Sequence, residues 1–246
     1  MSAQPQRVVG VEFGREVPPR SFATLLPPPW RQQYDRIDLL AHPDIRDGLR
    51  SPAEQADHWA RWLGGSDGPT VVLGYCSGAA VAAELARLLG AGTRLVLIDP
   101  SVPTAGEAQE LLVELARGLD EELRSADVPD IRAAGPAEAF ALSADLLRTL
   151  VDRCAPDLPD DIAGALSENQ RVWMSYTLAA GAHRGSLRHR PDLVLLSADG
   201  SWEPDPATLV RRFPAGPTGL FTDPAAAAAL ADALGPGGGG EGEDHG

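Results

Sequence analysis

The residues best suited to covalent chemistry lie in Gly74-Tyr75-Cys76-Ser77-Gly78, where a thiol sits at the centre of a pentapeptide bounded by glycines. Before it, Thr70 to Leu73 is a β-branched, apolar run suited to a buried strand, and from Ser77 onward the Ala- and Leu-rich pattern is that of a helix. A sharp turn must join them. The middle residue of such a turn is held in a strained conformation at the end of the strand, and small neighbours let strand and helix approach. The pentapeptide therefore matches the nucleophile elbow G-x-S-x-G, with cysteine where serine is expected. Ser77 is out of frame for that role, because the positions two away from it are Tyr75 and Ala79. A cysteine here is intrinsically nucleophilic, and the start of a helix favours its thiolate form.

Few other groups compete for chemistry. The second thiol, Cys154, reads as a small buried hydrophobe. The histidines are His42, His58, His183, His189 and His245, each read first as a solvated or structural residue. His42 ends an early strand pattern, His58 lies in a surface-type helix, and His245 falls in the tail. The chain has no lysine, which excludes Schiff-base chemistry. Histidines and cysteines show no metal-ligand spacing, and the one glycine cluster lies in the C-terminal tail rather than in a phosphate-cradling loop. No metal and no cofactor is expected.

The elements that must position Cys76 follow from the hydrophobic pattern. Arg7 to Phe13 predicts a first strand, Ser21 to Leu26 a short helix and Tyr34 to His42 a second strand. Ser51 to Leu63 predicts a helix with Ser51 as N-cap and Pro52 at its first position. Arg94 to Ile98 is a further buried strand, closed by Asp99-Pro100. Between Ala105 and Ala182 only helical patterns occur, with breaks near Pro129, Pro136 and Pro156 to Pro159, which predicts about three inserted helices. Strand pattern resumes at Asp192 to Ser197, with a weak last strand at Thr218 to Phe221 and a final helix from Pro224 to Leu234. Strands alternating with helices argue for an α/β fold with a mostly parallel sheet. The expected organisation is a single domain over 1–234, with a helical lid over about 104–186 and a disordered Gly-rich acidic tail over 235–246.

Composition narrows the partners. The 246 residues carry a formal net charge of −14, which argues against nucleic acid, since phosphate neutralisation needs a basic face. With no apolar run of eighteen residues and no charged-then-apolar leader, neither a membrane span nor a signal peptide is expected, and the predicted location is cytoplasmic. Arg184, Arg188 and Arg190 form a local basic cluster within AGAHRGSLRHR, a candidate docking segment for an acidic partner.

A parallel sheet, an elbow in mid-sheet and a helical insertion after the following strand together resemble the α/β-hydrolase fold. Within it, the size and the lid resemble the thioesterases of polyketide and nonribosomal peptide synthesis, in a variant with a cysteine nucleophile. That resemblance implies an acid after one of the next strands. Asp99 in LVLIDPS is favoured, and Asp199 in LLSADGS is the alternative. It implies an oxyanion hole from the amide of Ser77 and one from the Phe13, Gly14, Arg15 turn, for which Phe13 is taken. It also implies a substrate on the phosphopantetheine arm of an acyl or peptidyl carrier protein. The family's histidine belongs in a stretch corresponding to Gly216 to Pro224, and none is there. His183, His189 or His42 could reach the thiol only by an arrangement unusual for the family.

Three readings follow. An acyl or aminoacyl transferase would load Cys76 from a carrier thioester and hand the small-molecule acyl group on, a nearly isoenergetic first step that asks little of a base. A hydrolytic thioesterase would need one of the histidines beside Cys76 to activate water. A non-catalytic relative would bind the acyl chain or its carrier. Leu111, Leu112, Leu115, Leu146, Leu147, Leu150, Trp173, Met174 and Tyr176 in the lid would line an apolar pocket or, more commonly, pack against the sheet.

Overall fold

The computed structural model describes residues 7–14, 21–45, 48–64, 69–154, 156–157, 159–183, 187, 189–203 and 205–235. Residues 236–246 of the Gly-rich tail, Arg15, Arg184 and Arg188 lie outside them. The chain forms two compact units, one drawn from Met1–Leu39, Ala56–Ser101 and Ser186–Gly246, the other from Leu40–Gln55 and Val102–Gly185.

The first unit is built on six strands, β1 (Arg7–Glu12), β2 (Tyr34–Asp38), β3 (Thr70–Tyr75), β4 (Arg94–Ile98), β5 (Leu193–Leu196) and β6 (Leu209–Arg212). Their order is β2-β1-β3-β4-β5-β6, and every pair is parallel. The near-continuous apolar runs explain this: VVLG, LVLI and LVLL are buried throughout, as strands covered on both faces must be. On one face Phe22, Leu26, Trp30, Leu73, Ile98, Leu195, Phe221 and Leu230 form a continuous core. It draws on α1 (Phe22–Leu25), α2 (Pro28–Arg31) and the last helix. The helix after β3 is buried from Ala79 to Ala86, its alanines letting it lie close to the sheet. Among the described residues no helix is long and apolar enough to cross a membrane.

The second unit holds three long helices, whose bounds are Ala105–Leu119, Pro136–Cys154 and Asp160–Ala182. Thr104 and Glu107 close a reciprocal capping box on the first of them. Their apolar stripes meet one another, with Leu112, Leu147, Leu150 and Met174 at the centre of a separate core and Leu111, Leu115 and Leu146 packed around it. The leucines read as pocket lining or sheet contacts thus make the helical unit's own interior. The helix starting at Pro52 runs to Leu63, and Ser51 caps it as expected, exchanging hydrogen bonds with Glu54.

Three expectations need correction. The second strand stops at Asp38, where two 3-10 turns, Leu39–Ala41 and Pro43–Ile45, take over and Pro43 supplies no amide to continue a ladder. The last strand is not Thr218 to Phe221 but Leu209–Arg212, an edge strand with exposed side chains whose pattern carries little apolar signal. The Gly219–Thr222 segment is instead a 3-10 turn. Cys154 is exposed rather than buried, because it ends its helix beyond Val151, the last buried residue of that face.

Candidate active site

The elbow forms as its residues dictate. β3 runs through Tyr75, Cys76 to Gly78 make one 3-10 turn, and α4 (Ala79–Leu89) follows directly. Cys76 has φ of 51°, in the left-handed region that side chains with a Cβ avoid at a cost of about 1–2 kcal/mol. Gly74 makes the crossing possible: a Cβ there would meet the Ala82 Cβ at 2.6 Å and the Leu97 Cδ2 at 3.0 Å. Gly78 is less constrained than its place in the motif implies, since an added Cβ would meet Leu39 and Val11 at ordinary contact distances of 3.4 and 3.5 Å.

Register aligns the other residues of interest. Val11 pairs with Gly74 and Tyr75 with Ile98, so the next positions bring Phe13, Cys76 and Asp99 into one row at the carboxyl ends of β1, β3 and β4. That edge is where open α/β sheets hold their ligands. Phe13 and Ser77 are half-buried and flank the thiol in sequence and register. The neighbouring Gly14 amide is committed elsewhere, donating to Asp38 Oδ1 at 2.9 Å.

Asp99 also has positive φ, 40°. Its amide donates to the Leu195 carbonyl at 2.9 Å, and its Oδ1 accepts the Ser197 amide at 2.7 Å, which ties the β4 end to β5. The other oxygen, Oδ2, is buried and has no hydrogen-bond partner among the described residues, and the same holds for the Ser197 hydroxyl. Asp199 is exposed in the turn after β5.

No histidine nitrogen among the described residues hydrogen-bonds the Cys76 sulfur or the Asp99 carboxylate. His42 is buried in the chain between the two 3-10 turns, where its Nδ1 accepts the Asp44 amide at 3.1 Å. His183 caps the C-terminus of α7 (Asp160–Ala182), in the same unit as α5 (Ala105–Leu119) and α6 (Pro136–Cys154). His58 packs edge-on against Trp59 in α3 (Pro52–Leu63), and His189 is half-buried ahead of β5. The segment preceding α8 (Pro224–Leu234) does reach the elbow, but with apolar side chains. Phe221 is buried with its ring edge-on to Tyr75, centroids 5.0 Å apart, and Leu220 beside it is fully buried.

Two features escaped sequence reading. Ser101 Oγ lies 3.2 Å from the Cys76 sulfur, and the Ser101 amide donates to the Cys76 carbonyl, also at 3.2 Å. At the end of β1, buried Glu12 gathers the hydroxyl of Ser21, the amide of Phe22, the hydroxyl of Tyr34 at 2.6 Å and Nε of Arg36 at 2.6 Å. Arg36 continues to the Gly14 carbonyl. Burial first, then the Glu12 carboxylate, pushes the Tyr34 phenol well above the ordinary tyrosine range. An acid ending an apolar strand was the available signal for this network, and nothing local marked Ser101.

No protein-family profile matches the chain, and no curated protein sequence does either. Solved structures do. The NocB thioesterase domain, solved as a covalent complex with a fluorophosphonate nocardicin G analog, aligns over 95% of this chain and 96% of its own with a TM-score of 0.54 at 19% identity. The N-acyl homoserine lactonase AidH, as the E219G mutant with N-hexanoyl homoserine, aligns over 94% and 89% with a TM-score of 0.51 at 17% identity. The chain has the α/β-hydrolase fold, the architecture it shares with these enzymes.

Proposed function

We propose that the protein is a thioesterase-like acyl or aminoacyl transferase that loads Cys76 from a carrier-protein thioester in natural-product biosynthesis. The observation that carries this reading is the elbow itself: a thiol held at φ 51° at the carboxyl edge of the sheet, with Phe221 and not an imidazole in the segment packed against Tyr75. In the first step the Cys76 sulfur attacks the thioester carbonyl, the bond from that carbon to the pantetheine sulfur breaks, and a thioester on Cys76 forms. The amides of Ser77 and Phe13 are the proposed donors to the tetrahedral oxyanion, each worth about 10²-fold or more in rate. Asp99 is the proposed acid of the site. The second step hands the acyl group to another thiol or to an amine, for which no general base need deprotonate water. An acyl or peptidyl carrier protein and its small-molecule acyl group are the proposed partners, in the cytoplasm.

A hydrolytic reading has one observation in its favour, the buried Asp99 Oδ2, which has no hydrogen-bond partner among the described residues and so keeps the capacity to accept from an imidazole. The fate of the adduct separates the two. After loading from an aminoacyl pantetheine thioester, transfer predicts an adduct that persists in buffer and clears when a thiol or amine acceptor is added. Clearance in buffer alone, at the rate seen with acceptor, would establish hydrolysis instead.

A further inference from the structure

Among the described residues the Cys76 sulfur has one hydrogen-bonding neighbour, and it is a hydroxyl. Ser101 is referenced to Cys76 twice, through Oγ to Sγ at 3.2 Å and through its amide to the Cys76 carbonyl at 3.2 Å. The second contact fixes where the hydroxyl is carried, so the first does not depend on a long side chain finding its rotamer. Buried Pro100 and the left-handed turn at Asp99 set the direction in which the chain reaches Ser101.

We propose that Ser101 is a catalytic residue of this site, its hydroxyl donating a hydrogen bond to the Cys76 thiolate in the place an imidazole would otherwise take. The inference rests on the reading of Cys76 as nucleophile and adds how that nucleophile is held ready. A thiolate has no proton, so in the pair Ser101 must be the donor, and a hydrogen bond to an ion is about twice as strong as one between neutral groups. The hydroxyl keeps its own proton through the exchange, and the departing pantetheine thiolate takes one from solvent. Ser101 thereby stabilises the attacking sulfur without supplying a base for water. This is the chemistry that thioester exchange needs and hydrolysis does not get.

The test is the rate of Cys76 alkylation by iodoacetamide against pH, read by peptide mass in a Cys154→Ser background so that the exposed second thiol does not contribute. Ser101→Ala is expected to slow labelling about tenfold at pH 7 while leaving the high-pH plateau unchanged, and Ser101→Thr to restore the neutral-pH rate. An unchanged rate at pH 7 in Ser101→Ala overturns the proposal, as does an equal loss at every pH, which would mean altered access. Where the alanine variant does not fold, the isosteric pair Ser101→Thr and Ser101→Val gives the same comparison. Labelling that responds to Ser101 in a protein that takes no acyl group from any thioester would leave this inference standing and sink the transferase reading.

Discussion

Two polar clusters sit at neighbouring strand ends of the same sheet and differ in how completely they are satisfied. At the end of β1 the Glu12 carboxylate accepts from Ser21, Phe22, Tyr34 and Arg36, and Arg36 goes on to hold the Gly14 carbonyl. One β-strand away, Cys76 and Asp99 both occupy left-handed backbone geometry, and buried Asp99 Oδ2 and Ser197 Oγ have no partners among the described residues. A fully connected buried network adds rigidity and specifies one arrangement. Strain and unmet hydrogen-bonding capacity instead lower stability and persist only where the surrounding fold imposes them. The contrast teaches that the β1 network fixes the strand end as far as Gly14, while the β3 and β4 ends carry the residues proposed for chemistry.

The largest effect should come from breaking the satisfied side. Glu12→Ala removes the buried acceptor shared by Ser21, Phe22, Tyr34 and Arg36, and unfolding in urea should show a loss of about 3–5 kcal/mol. A loss under about 1 kcal/mol would mean that the network is not what holds that end of the sheet. On the strained side the sign should reverse. Cys76→Gly relieves the left-handed geometry but makes the unfolded chain more flexible, a net gain of about 0.5–1 kcal/mol. Its melting temperature should rise by about 1–4 °C while acylation is abolished. A fall in melting temperature would remove the claim that the elbow stores strain.

The smallest effect lies away from both clusters and calibrates them. Hydrogen bonds from the Ser51 side chain, then from its amide, hold the Glu54 carboxyl below its ordinary range. A depressed folded-state value means that this contribution is present at neutral pH and is lost as pH falls through the folded value. Because Glu54 is exposed, screening keeps the contribution to no more than about 0.5 kcal/mol. The melting-temperature gap between wild type and Glu54→Gln should therefore close on going from pH 7 to pH 3, and a gap that widens would reverse the assignment.

Where short-range pattern decides structure, the sequence was legible. The elbow, β4 at Arg94–Ile98, the three-helix insertion and the capped helix at Pro52 all follow from local periodicity, proline breaks and capping residues. Expectation and structure part where distant segments decide. β6 carries LVRR, whose exposed arginines hide an edge strand, and Leu220 and Phe221 look strand-like but are drawn into a 3-10 turn by the core they complete. Ser101 becomes a neighbour of Cys76 only because β3 and β4 end side by side, and Glu12 meets Arg36 only through the pairing of β1 with β2. The absence of a histidine between Gly216 and Pro224 was plain in the sequence, whereas the ring that packs there instead required the fold.

The most direct measurement is the intact mass of the protein after exposure to acyl and aminoacyl pantetheine thioesters, with the adduct mapped by peptide mass and Cys76→Ala as control. The account predicts a single acyl adduct on Cys76, absent from the Cys76→Ala variant and absent from exposed Cys154. No adduct from any thioester of the panel, or labelling that survives in Cys76→Ala, would contradict it.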